Sequence, residues 1–409
     1  MNRHIMVLHR WRDRYALYED YIDHADAQVS YITTAIGRAS VPATAAAVAE
    51  VPATDDLPAV LAAARTLIGV FGEPDRVLAL NEGDLDTAAQ LRERLGCAGQ
   101  LPRDVERFRD KLAMTRIVAE AGVRTPAFAD APDAQAVRRF ARREGWPVVV
   151  KPRRGTASRG VLRLDGPEDL ALLDASPPEP RLAEAYCGDP IYHVDGLWTG
   201  TGLGPWRASR YINTCVGFND GDVLGSVEVD DPVLLGALGA FAAAVAGALS
   251  DQPWVFHLEA FVGTGPGGAP NITFLEVGYR VGGAEIPFLW REVHRLDLMS
   301  AAVAVQLGRQ PRLADNPAPR ADCVGGWLLV PTPVPAPCRV TAVALPEGES
   351  TPYATVVPPV GYLIPKAGGY EHVGARFRFR GRSTTAVESA IVKTAAHFQL
   401  ECVTEEGTS

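Results

Sequence analysis

Short apolar runs alternate with helical stretches along the N-terminal part of the chain. Runs such as HIMVL (residues 4–8) and VSYITTAI predict buried strands, whereas YALYEDYIDHADA and several Ala-rich stretches have helical spacing. Strands that alternate with helices are typical of a parallel α/β sheet. Glu82 follows the apolar run RVLAL, at the end of a predicted strand, where ligand crevices form in such sheets. A solvated loop is the alternative for this residue.

Helical patterns recur later in the chain. Apolar residues with helical spacing follow Lys111 up to Gly122, and DAQAVRRFARREG and PFLWREVHRLDLMSAAVAVQLG each predict a helix. The longest apolar run, Leu234 to Leu249, is too short and too rich in Ala and Gly for a bilayer span, so we interpret it as a core helix. The linker-like ADNPAPR precedes residues 321–409, which are rich in strand patterns and close on a predicted helix, TTAVESAIVKTAAHF.

The stretch from residue 256 to 285 combines two predicted strands with candidate chemistry. FHLEAF and ITFLEV are joined by a Gly/Pro-rich turn, and each carries one acid, Glu259 and Glu276. Paired strands bring both carboxylates to one hard cation, and oxygen ligands of this kind suit Mg²⁺. Arg280 follows four residues later, where its guanidinium would neutralise the charge of a transferred phosphate. The alternative is a plain antiparallel hairpin with two solvated acids.

Lysine is rare in this chain, so the position of each lysine is informative. Lys151 ends the β-branched run WPVVV and leads into a loop that contains Ser158 and Gly160. A lysine on a buried strand needs an anionic partner, and a loop of glycines and hydroxyls suits phosphates. Lys111 opens a helix, where acids are usually preferred, and a bound phosphate would explain its position. The alternatives are an ordinary hairpin turn and a surface lysine.

The composition of the chain mainly argues against certain classes of protein and of binding site. The 409 residues carry a net charge of −9, which argues against a nucleic-acid-binding surface. Six cysteines are scattered without a CxxC pair, which disfavours a disulfide framework or a zinc site and favours a reducing compartment. The N-terminal MNRHIMVLHRWRDRY has no apolar run after its basic residues, so we expect no signal peptide and a cytoplasmic protein. The sequence has neither a G-x-G-x-x-G after the first strand nor a Walker A pattern.

Five motifs occur in an order that is typical of one enzyme superfamily: RDKLAM, VVVKPRRGTASRGV, EAYCGDPIYHVDGL, FHLEAF and FLEVGYRVGG. With these motifs the chain resembles the ATP-grasp superfamily, in particular its carboxylate–amine ligases of the L-amino-acid ligase type. The resemblance implies an ATP-grasp fold of mixed α/β and α+β class. It implies an N-terminal parallel α/β domain (1–105), a two-lobed ATP-grasp domain (106–315) and a small strand-rich C-terminal domain (316–409).

The resemblance also implies how the nucleotide would be bound, between the two lobes of the central domain. Lys111 and Lys151 would lie near the ATP phosphates and the adenine side, and Glu184 would accept a hydrogen bond from the adenine amino group. Residues 153–160 would form a mobile lid over the phosphates. The residues expected to bind ATP are Lys111, Lys151, Ser158, Gly160, Glu184, Tyr186 and Cys187.

The metal and the reacting groups would lie on the predicted hairpin. Glu259 and Glu276 match the metal-binding acids of the superfamily, for Mg²⁺ or, as an alternative, Mn²⁺. Arg280 matches the arginine that serves the γ-phosphate and the acyl phosphate, and we expect it to be catalytic together with Lys151. Gly282 and Gly283 would bind substrate, because glycines let backbone N–H groups approach an acyl phosphate.

Two positions depart from the pattern of the superfamily. Gly278 stands where an Asn ligand to the second metal ion is usual, and Ile191 stands where an acid for the ATP ribose is frequent. Glu82, His193 and His257 are candidates for the pocket of the second substrate, and a purely structural role is the alternative for each of them.

The resemblance implies an ATP-dependent ligase that forms an amide bond through an acyl phosphate, with an amino acid as one substrate. The expected cofactors are ATP and Mg²⁺, and the expected partners are a small carboxylic acid and an amine, with no nucleic acid and no membrane. A homodimer is the assembly that the resemblance suggests. The alternatives are a bicarbonate-activating carboxylase-type enzyme and a non-catalytic nucleotide-binding protein.

Overall fold

The strands in the described part of the chain form four sheets. A computed structural model describes residues 3–156, 158–177, 179–311, 323–345, 352–366, 370 and 372–405. The linker predicted at residues 314–320 lies outside the described residues.

The N-terminal unit is a parallel α/β sheet, as the alternating pattern predicts. Its elements are β1 (Arg3–His9), α1 (Tyr18–Tyr21), β2 (Ala27–Thr33), β3 (Ala47–Glu50), α2 (Leu57–Phe71), β4 (Arg76–Ala79) and α3 (Leu85–Leu95). The strand order is β3-β2-β1-β4, and all three pairs are parallel. The helix expected from YALYEDYIDHADA is a single turn. The Asp23 side chain accepts hydrogen bonds from Ala25 N and Asp26 N in a turn that leads into β2.

Two helices connect this unit to the rest of the chain, α4 (Pro102–Arg109) and α5 (Lys111–Glu120). Asp110 between them has an extended backbone, and its side chain accepts hydrogen bonds from Leu112 N and Ala113 N. Asp110 is therefore the N-cap of α5, and Lys111 is the first residue of that helix, as the sequence predicts.

A small antiparallel lobe follows, with a core of its own. Its elements are β5 (Phe128–Asp130), α6 (Ala134–Glu144), β6 (Val148–Pro152), β7 (Leu162–Leu164), α7 (Ala171–Asp174) and β8 (Arg181–Ala185). The strand order is β5-β8-β6-β7. Val137 and Phe140 of α6 are buried in one cluster with Val148 and Val150 of β6.

The largest sheet begins at residue 191. The elements of its first part are β9 (Ile191–Trp198), β10 (Leu203–Ile212), α8 (Cys215–Asn219), β11 (Leu224–Glu228), α9 (Pro232–Leu249), β12 (Trp254–Thr264), β13 (Pro270–Gly278), α10 (Ile286–Glu292) and α11 (Leu298–Gln306). The order β13-β12-β9-β10-β11 is antiparallel throughout. The predicted hairpin over residues 256–285 is therefore present, with β12 and β13 as its strands.

Helix α9 contains the longest apolar run, but it is longer than that run. At 18 residues it is long and apolar enough to cross a membrane, by length and composition alone, which contradicts the expectation that this run is too short and too rich in Ala and Gly. In the structure α9 packs on β9, β10 and β13, and Leu238, Ala242 and Val245 are buried. This position agrees with the interpretation of α9 as a helix that covers the core.

The single helix predicted from PFLWREVHRLDLMSAAVAVQLG is two helices, α10 and α11. Arg295 between them has a positive φ of 59°. Asp297 then begins α11 as its N-cap, since its side chain accepts hydrogen bonds from Met299 N and Ser300 N. Apolar spacing continues across the break, so the pattern alone hides it.

The C-terminal residues extend the large sheet and add a small one. Their elements are β14 (Val324–Val330), β15 (Cys338–Ala344), β16 (Ala354–Val356), β17 (Leu363–Ile364), β18 (Ala375–Gly381), α12 (Thr384–His397) and β19 (Gln399–Thr404). β14 pairs with β11, and β18 and β16 follow, which gives an eight-stranded sheet. The order of the small sheet is β17-β15-β19. The last described element is therefore β19, a strand that the sequence analysis missed, and not the predicted helix.

Candidate active site

The two acids of the hairpin lie directly opposite each other. Glu259 on β12 pairs with Glu276 on β13, and the register shifts immediately afterwards, where Ala260 pairs with Phe274. Residues in direct register point to the same face of a sheet, so the two carboxylates share one face. Tyr211 donates a hydrogen bond from its hydroxyl to Glu259 Oε1 over 2.8 Å. The predicted pairing of the two acids is present in the structure.

Cations surround Glu276. Lys111 Nζ lies 3.2 Å from Glu276 Oε2. Burial alone would raise the pKa of Glu276, but the charges of Lys111, Lys151 and Arg280 outweigh it and lower the pKa to about 2. Burial would lower the pKa of Lys111, and Glu276 and Glu82 raise it instead. Glu276 is therefore ionised at neutral pH, and its oxygens are the hard ligands that Mg²⁺ prefers.

Glu82 lies between two arginines beside this pair. Arg280 Nε is 2.8 Å from Glu82 Oε2, and Arg109 Nη1 is 2.6 Å from Glu82 Oε1. Burial opposes ionisation of Glu82, but Arg280, Arg109 and Lys111 lower its pKa below the ordinary value. The turn after β4 therefore reaches the hairpin and brings Glu82 next to Arg280. Arg109 is a member of this site that the sequence analysis did not name.

Gly278 leaves room for this contact. A Cβ atom at Gly278 would lie 3.2 Å from Arg280 Cγ and 3.5 Å from Glu82 Oε2. An asparagine side chain would therefore compete with the Glu82–Arg280 pair for the same space. The glycine at position 278 therefore goes together with the position of Glu82, which occupies the space that an asparagine side chain would need. The sequence alone shows only the glycine.

The predicted nucleotide residues of the small lobe also come together. Lys151 on β6 lies 2.8 Å from Glu184 on β8 (Nζ to Oε2), and both side chains are 5% exposed. Residue 149 pairs with Glu184 in the sheet, so Lys151 is its diagonal neighbour on the same face. Lys111 Nζ donates a hydrogen bond to Gly155 O in the following loop over 3.2 Å. Lys111 thus connects that loop to Glu276.

The remaining predicted ATP residues lie around this pair. Ser158 and Gly160 have positive φ angles of 54° and 71° in the loop, and residue 157, immediately before Ser158, lies outside the described part of the chain. Tyr186 is 43% exposed, and the Arg163 guanidinium lies 4.4 Å from its ring centroid. Cys187 Sγ contacts Asp189 Oδ2 at 3.7 Å. Their roles toward a nucleotide remain predictions.

Comparisons with known proteins identify the fold. No family model matches the chain. A crystal structure of L-amino acid ligase from Bacillus licheniformis is similar, with a TM-score of 0.72, 16% identity and 99% of each chain covered. The chain has the ATP-grasp fold. A 2-oxoglutarate carboxylase biotin carboxylase domain from Hydrogenobacter thermophilus is also similar, with a TM-score of 0.70 and 14% identity, and the match covers 98% of this chain and 91% of that one.

One segment of the chain is similar in sequence to part of a larger protein. A match to the carbamoyl phosphate synthase large chain of Rubrobacter xylanophilus has 33% identity over 112 residues, which is 26% of this chain. The matched segment is 10% of the length of that protein. The fold thus rests on the structural similarity, and the predicted fold class is confirmed.

Beside the hairpin acids, on the same face of the sheet, this ATP-grasp fold contains a buried network centred on Asp195 of the neighbouring strand β9. Asp195 Oδ2 lies 2.6 Å from His193 Nδ1, and Asp195 Oδ1 lies 2.9 Å from His257 Nδ1 and 3.1 Å from Gly282 N. Burial would raise the pKa of Asp195, but the two histidines lower it far below its usual range. The same contact to Asp195 outweighs burial at His257 and raises the pKa of that histidine to about 9.

This network corrects one expectation about substrate binding. Gly282 was expected to offer its N–H to an acyl phosphate, but that N–H donates to Asp195. Gly283, the next residue, faces the Tyr370 ring, since a Cβ atom on it would lie 3.8 Å from Tyr370 Cδ2. Of the two glycines, only Gly283 thus keeps the predicted role open.

Three residues of this network have the donor types of a metal site, but their geometry is that of hydrogen bonds. His193, Asp195 and His257 lie close enough together to be considered as ligands of one ion. Two ligands of a tetrahedral zinc ion with bonds of about 2.0–2.1 Å lie roughly 3.3 Å apart. The donor–acceptor separations of 2.6 and 2.9 Å are shorter than that. Glu259 and Glu276 are therefore the better donors for a hard cation.

Proposed function

We propose that this protein is an ATP-dependent ligase that activates a small carboxylic acid as an acyl phosphate and joins it to an amine. One observation carries the proposal: Glu259 and Glu276 face each other in register, and Lys111 and Arg280 lie at the edges of this pair. This set combines oxygen ligands for a divalent cation with fixed positive charge, and phosphoryl transfer requires both.

The chain supplies binding and charge rather than a nucleophile. A carboxylate is a poor target for an amine at neutral pH, and transfer of the γ-phosphoryl group of ATP to one of its oxygens releases ADP and gives a good leaving group. The amine then forms the amide bond, and phosphate and a proton leave. Magnesium held by Glu259 and Glu276 would neutralise charge on the phosphates. Lys111, Lys151 and Arg280 would offset the charge that develops on the transferred group.

Glu82 fits a role in substrate positioning in the same reaction. It is ionised between Arg280 and Arg109, so it fixes the direction of the Arg280 guanidinium. We propose that the substrate binds beside Arg280, next to the side of the hairpin that Glu82 contacts. An amino acid as one of the two substrates is consistent with the similarity to L-amino acid ligase.

The direct test is phosphate release from ATP and Mg²⁺ with amino acids, singly and in pairs, and mass spectrometry of the products. Turnover that requires two substrates, with a product mass equal to their sum less water, is the expected result. Glu276→Gln should abolish this turnover in a folded protein, and unchanged turnover in that variant would contradict the metal assignment.

The same assay separates the alternatives. ATP turnover that depends on bicarbonate alone would favour a carboxylase-type enzyme, which the similarity to a biotin carboxylase domain makes the second candidate. Tight ATP binding without turnover on any pair of acid and amine would favour a non-catalytic nucleotide-binding protein. Either result would overturn the ligase proposal.

A further inference from the structure

Asp195 is placed to control two parts of the proposed active site that lie on different strands. It is 2% exposed and lies on β9 directly opposite His257, which is two residues from Glu259 on β12. Through His257, whose Nε2 lies 3.3 Å from Glu259 Oε1, it is connected to one proposed metal ligand. Through the N–H of Gly282 it holds the turn that begins two residues after Arg280.

We propose that Asp195 is a positioning residue that keeps Glu259 and the Arg280–Gly283 turn in one fixed geometry. The inference rests on the proposed function, because it assumes that Glu259 binds the metal and Arg280 the transferred phosphate. Asp195 would contact neither the metal nor the transferred phosphate, and would act through His257 and the backbone of Gly282.

Gly282 shows that the backbone approaches this network closely. A Cβ atom at Gly282 would lie 2.5 Å from Ile286 Cδ1 and 2.9 Å from His257 Nδ1. Only glycine leaves enough space for its N–H to reach Asp195 in this arrangement. The turn is therefore positioned by a specific hydrogen bond, and not only by the packing of side chains.

The ionised form of Asp195 is needed for this set of contacts. A carboxylate accepts hydrogen bonds on both oxygens, whereas an asparagine amide has one acceptor oxygen and one donor nitrogen. In Asp195→Asn an amide nitrogen that faces the His257–Gly282 side cannot accept from Gly282 N, and one that faces His193 keeps a hydrogen bond only with an unprotonated His193 Nδ1. In both orientations the negative charge beside His257 is lost. Loss of such an outer partner typically costs about 10- to 100-fold in metal affinity or activity.

The chain provides a matched control on another strand of the same sheet. Glu228 on β11 is also buried, its Oε1 lies 2.6 Å from His294 Nε2, and its Oε2 accepts a hydrogen bond from Gly325 N over 2.6 Å. This set repeats the chemistry of the Asp195 network, a buried carboxylate with a histidine and a glycine N–H. None of these three residues belongs to the proposed active site.

The test compares Asp195→Asn with Glu228→Gln. Manganese binding to the ADP-bound protein, followed by electron paramagnetic resonance of free Mn²⁺, measures the metal site without turnover. We expect Asp195→Asn to weaken Mn²⁺ binding by about 10- to 100-fold and to raise the Mg²⁺ concentration needed for half-maximal ATP turnover. We expect Glu228→Gln to lower the melting temperature and to leave Mn²⁺ binding unchanged.

The outcomes separate this inference from the proposed function. Equal Mn²⁺ affinity in Asp195→Asn and the unmutated protein would overturn the inference, and so would an equal loss in both variants. Failure of the unmutated ADP complex to bind Mn²⁺ would instead overturn the proposed function. If Asp195→Asn does not fold, His257→Asn keeps Asp195 and removes only its connection to Glu259. Unchanged Mn²⁺ affinity in that variant would likewise overturn the inference.

Discussion

Lys151 and Glu184 form a buried ion pair in which each charge is stabilised by the other. Their side chains are each 5% exposed, and Nζ and Oε2 are 2.8 Å apart. Removal of one partner leaves the other as an uncompensated buried charge, which typically costs about 3–5 kcal/mol. We expect Lys151→Met to lower the free energy of unfolding by about this amount, measured by urea denaturation at pH 7.

The double variant Lys151→Met/Glu184→Gln is the control for this prediction. It removes both charges, so we expect it to recover most of the stability that Lys151→Met loses. Both variants should lose ATP binding under the proposed function, because each lacks the lysine. Stability equal to that of the unmutated protein in Lys151→Met alone would show that the pair is not buried as described.

Single residues also show where the sequence suffices and where it does not. The hairpin acids are predictable, because each lies in an alternating run and the two runs share a short turn. The contact between Glu82 and Arg280 is not, because 198 residues separate the two along the chain. Asp195 lies two residues from His193, which indicates one face of β9, but its register opposite His257 appears only in the structure. Contacts of this kind are set by the pairing of segments that are far apart in the sequence, which the local pattern of residues does not predict.

At the scale of elements, Asp110 ends one helix and begins the next. It caps α5, and it also pairs with Arg153 of the small lobe, with Oδ1 3.0 Å from Arg153 Nε. Burial opposes ionisation of Asp110, but Arg153 and the capped N–H groups lower its pKa below its ordinary value. We expect Asp110→Ala to lower the free energy of unfolding at pH 7 by about 1–2 kcal/mol, as loss of an N-cap does.

Asp133→Ala is the matched control, because Asp133 caps α6 through Ala136 N and is exposed. It should cost less than Asp110→Ala, which also loses the contact to Arg153. The folded Asp110 carboxyl has a lowered pKa, so its contribution is complete above the unfolded value and disappears as pH falls through the folded value. A difference between Asp110→Ala and the unmutated protein that stayed constant down to pH 2 would contradict this assignment.

Helices and strands could be predicted where one apolar repeat, of period 2 or 3.6, runs through a single element. A boundary between two helices could not be predicted where the same apolar repeat continues across it. Strands β1, β2 and β4 of the N-terminal sheet and the strands of the hairpin follow the sequence pattern, whereas β3 was not predicted. The start of α5 at Lys111 was predicted, whereas the break at Arg295 was not, because a positive φ ends a helix without changing the apolar spacing on either side of it. β19 is a short edge strand, and its alternation is too brief to stand out after α12.

At the scale of the whole molecule, the cores do not follow the order of the chain. Met6 and Leu8 of β1 are buried in one cluster with Trp254 and Phe256 of β12. The small lobe has a cluster that contains only its own residues. Elements that share a buried apolar cluster unfold together, because separating them exposes that surface to water. The N-terminal unit and the large sheet should therefore form one cooperative unit.

The small lobe should open more readily than the large sheet. Its contacts to the N-terminal unit include polar ones with exposed partners, such as Arg154 Nη1 to Asp86 Oδ1 at 2.6 Å, and exposed pairs contribute little. We expect hydrogen exchange of the β6 amides to show a lower opening free energy than exchange of the β12 amides. ATP and Mg²⁺ should slow exchange in β6 more than in β12, because a nucleotide held between Lys151 and Glu276 ties the lobe to the sheet. Identical opening free energies in β6 and β12, with and without nucleotide, would mean that the lobe and the sheet unfold as one body.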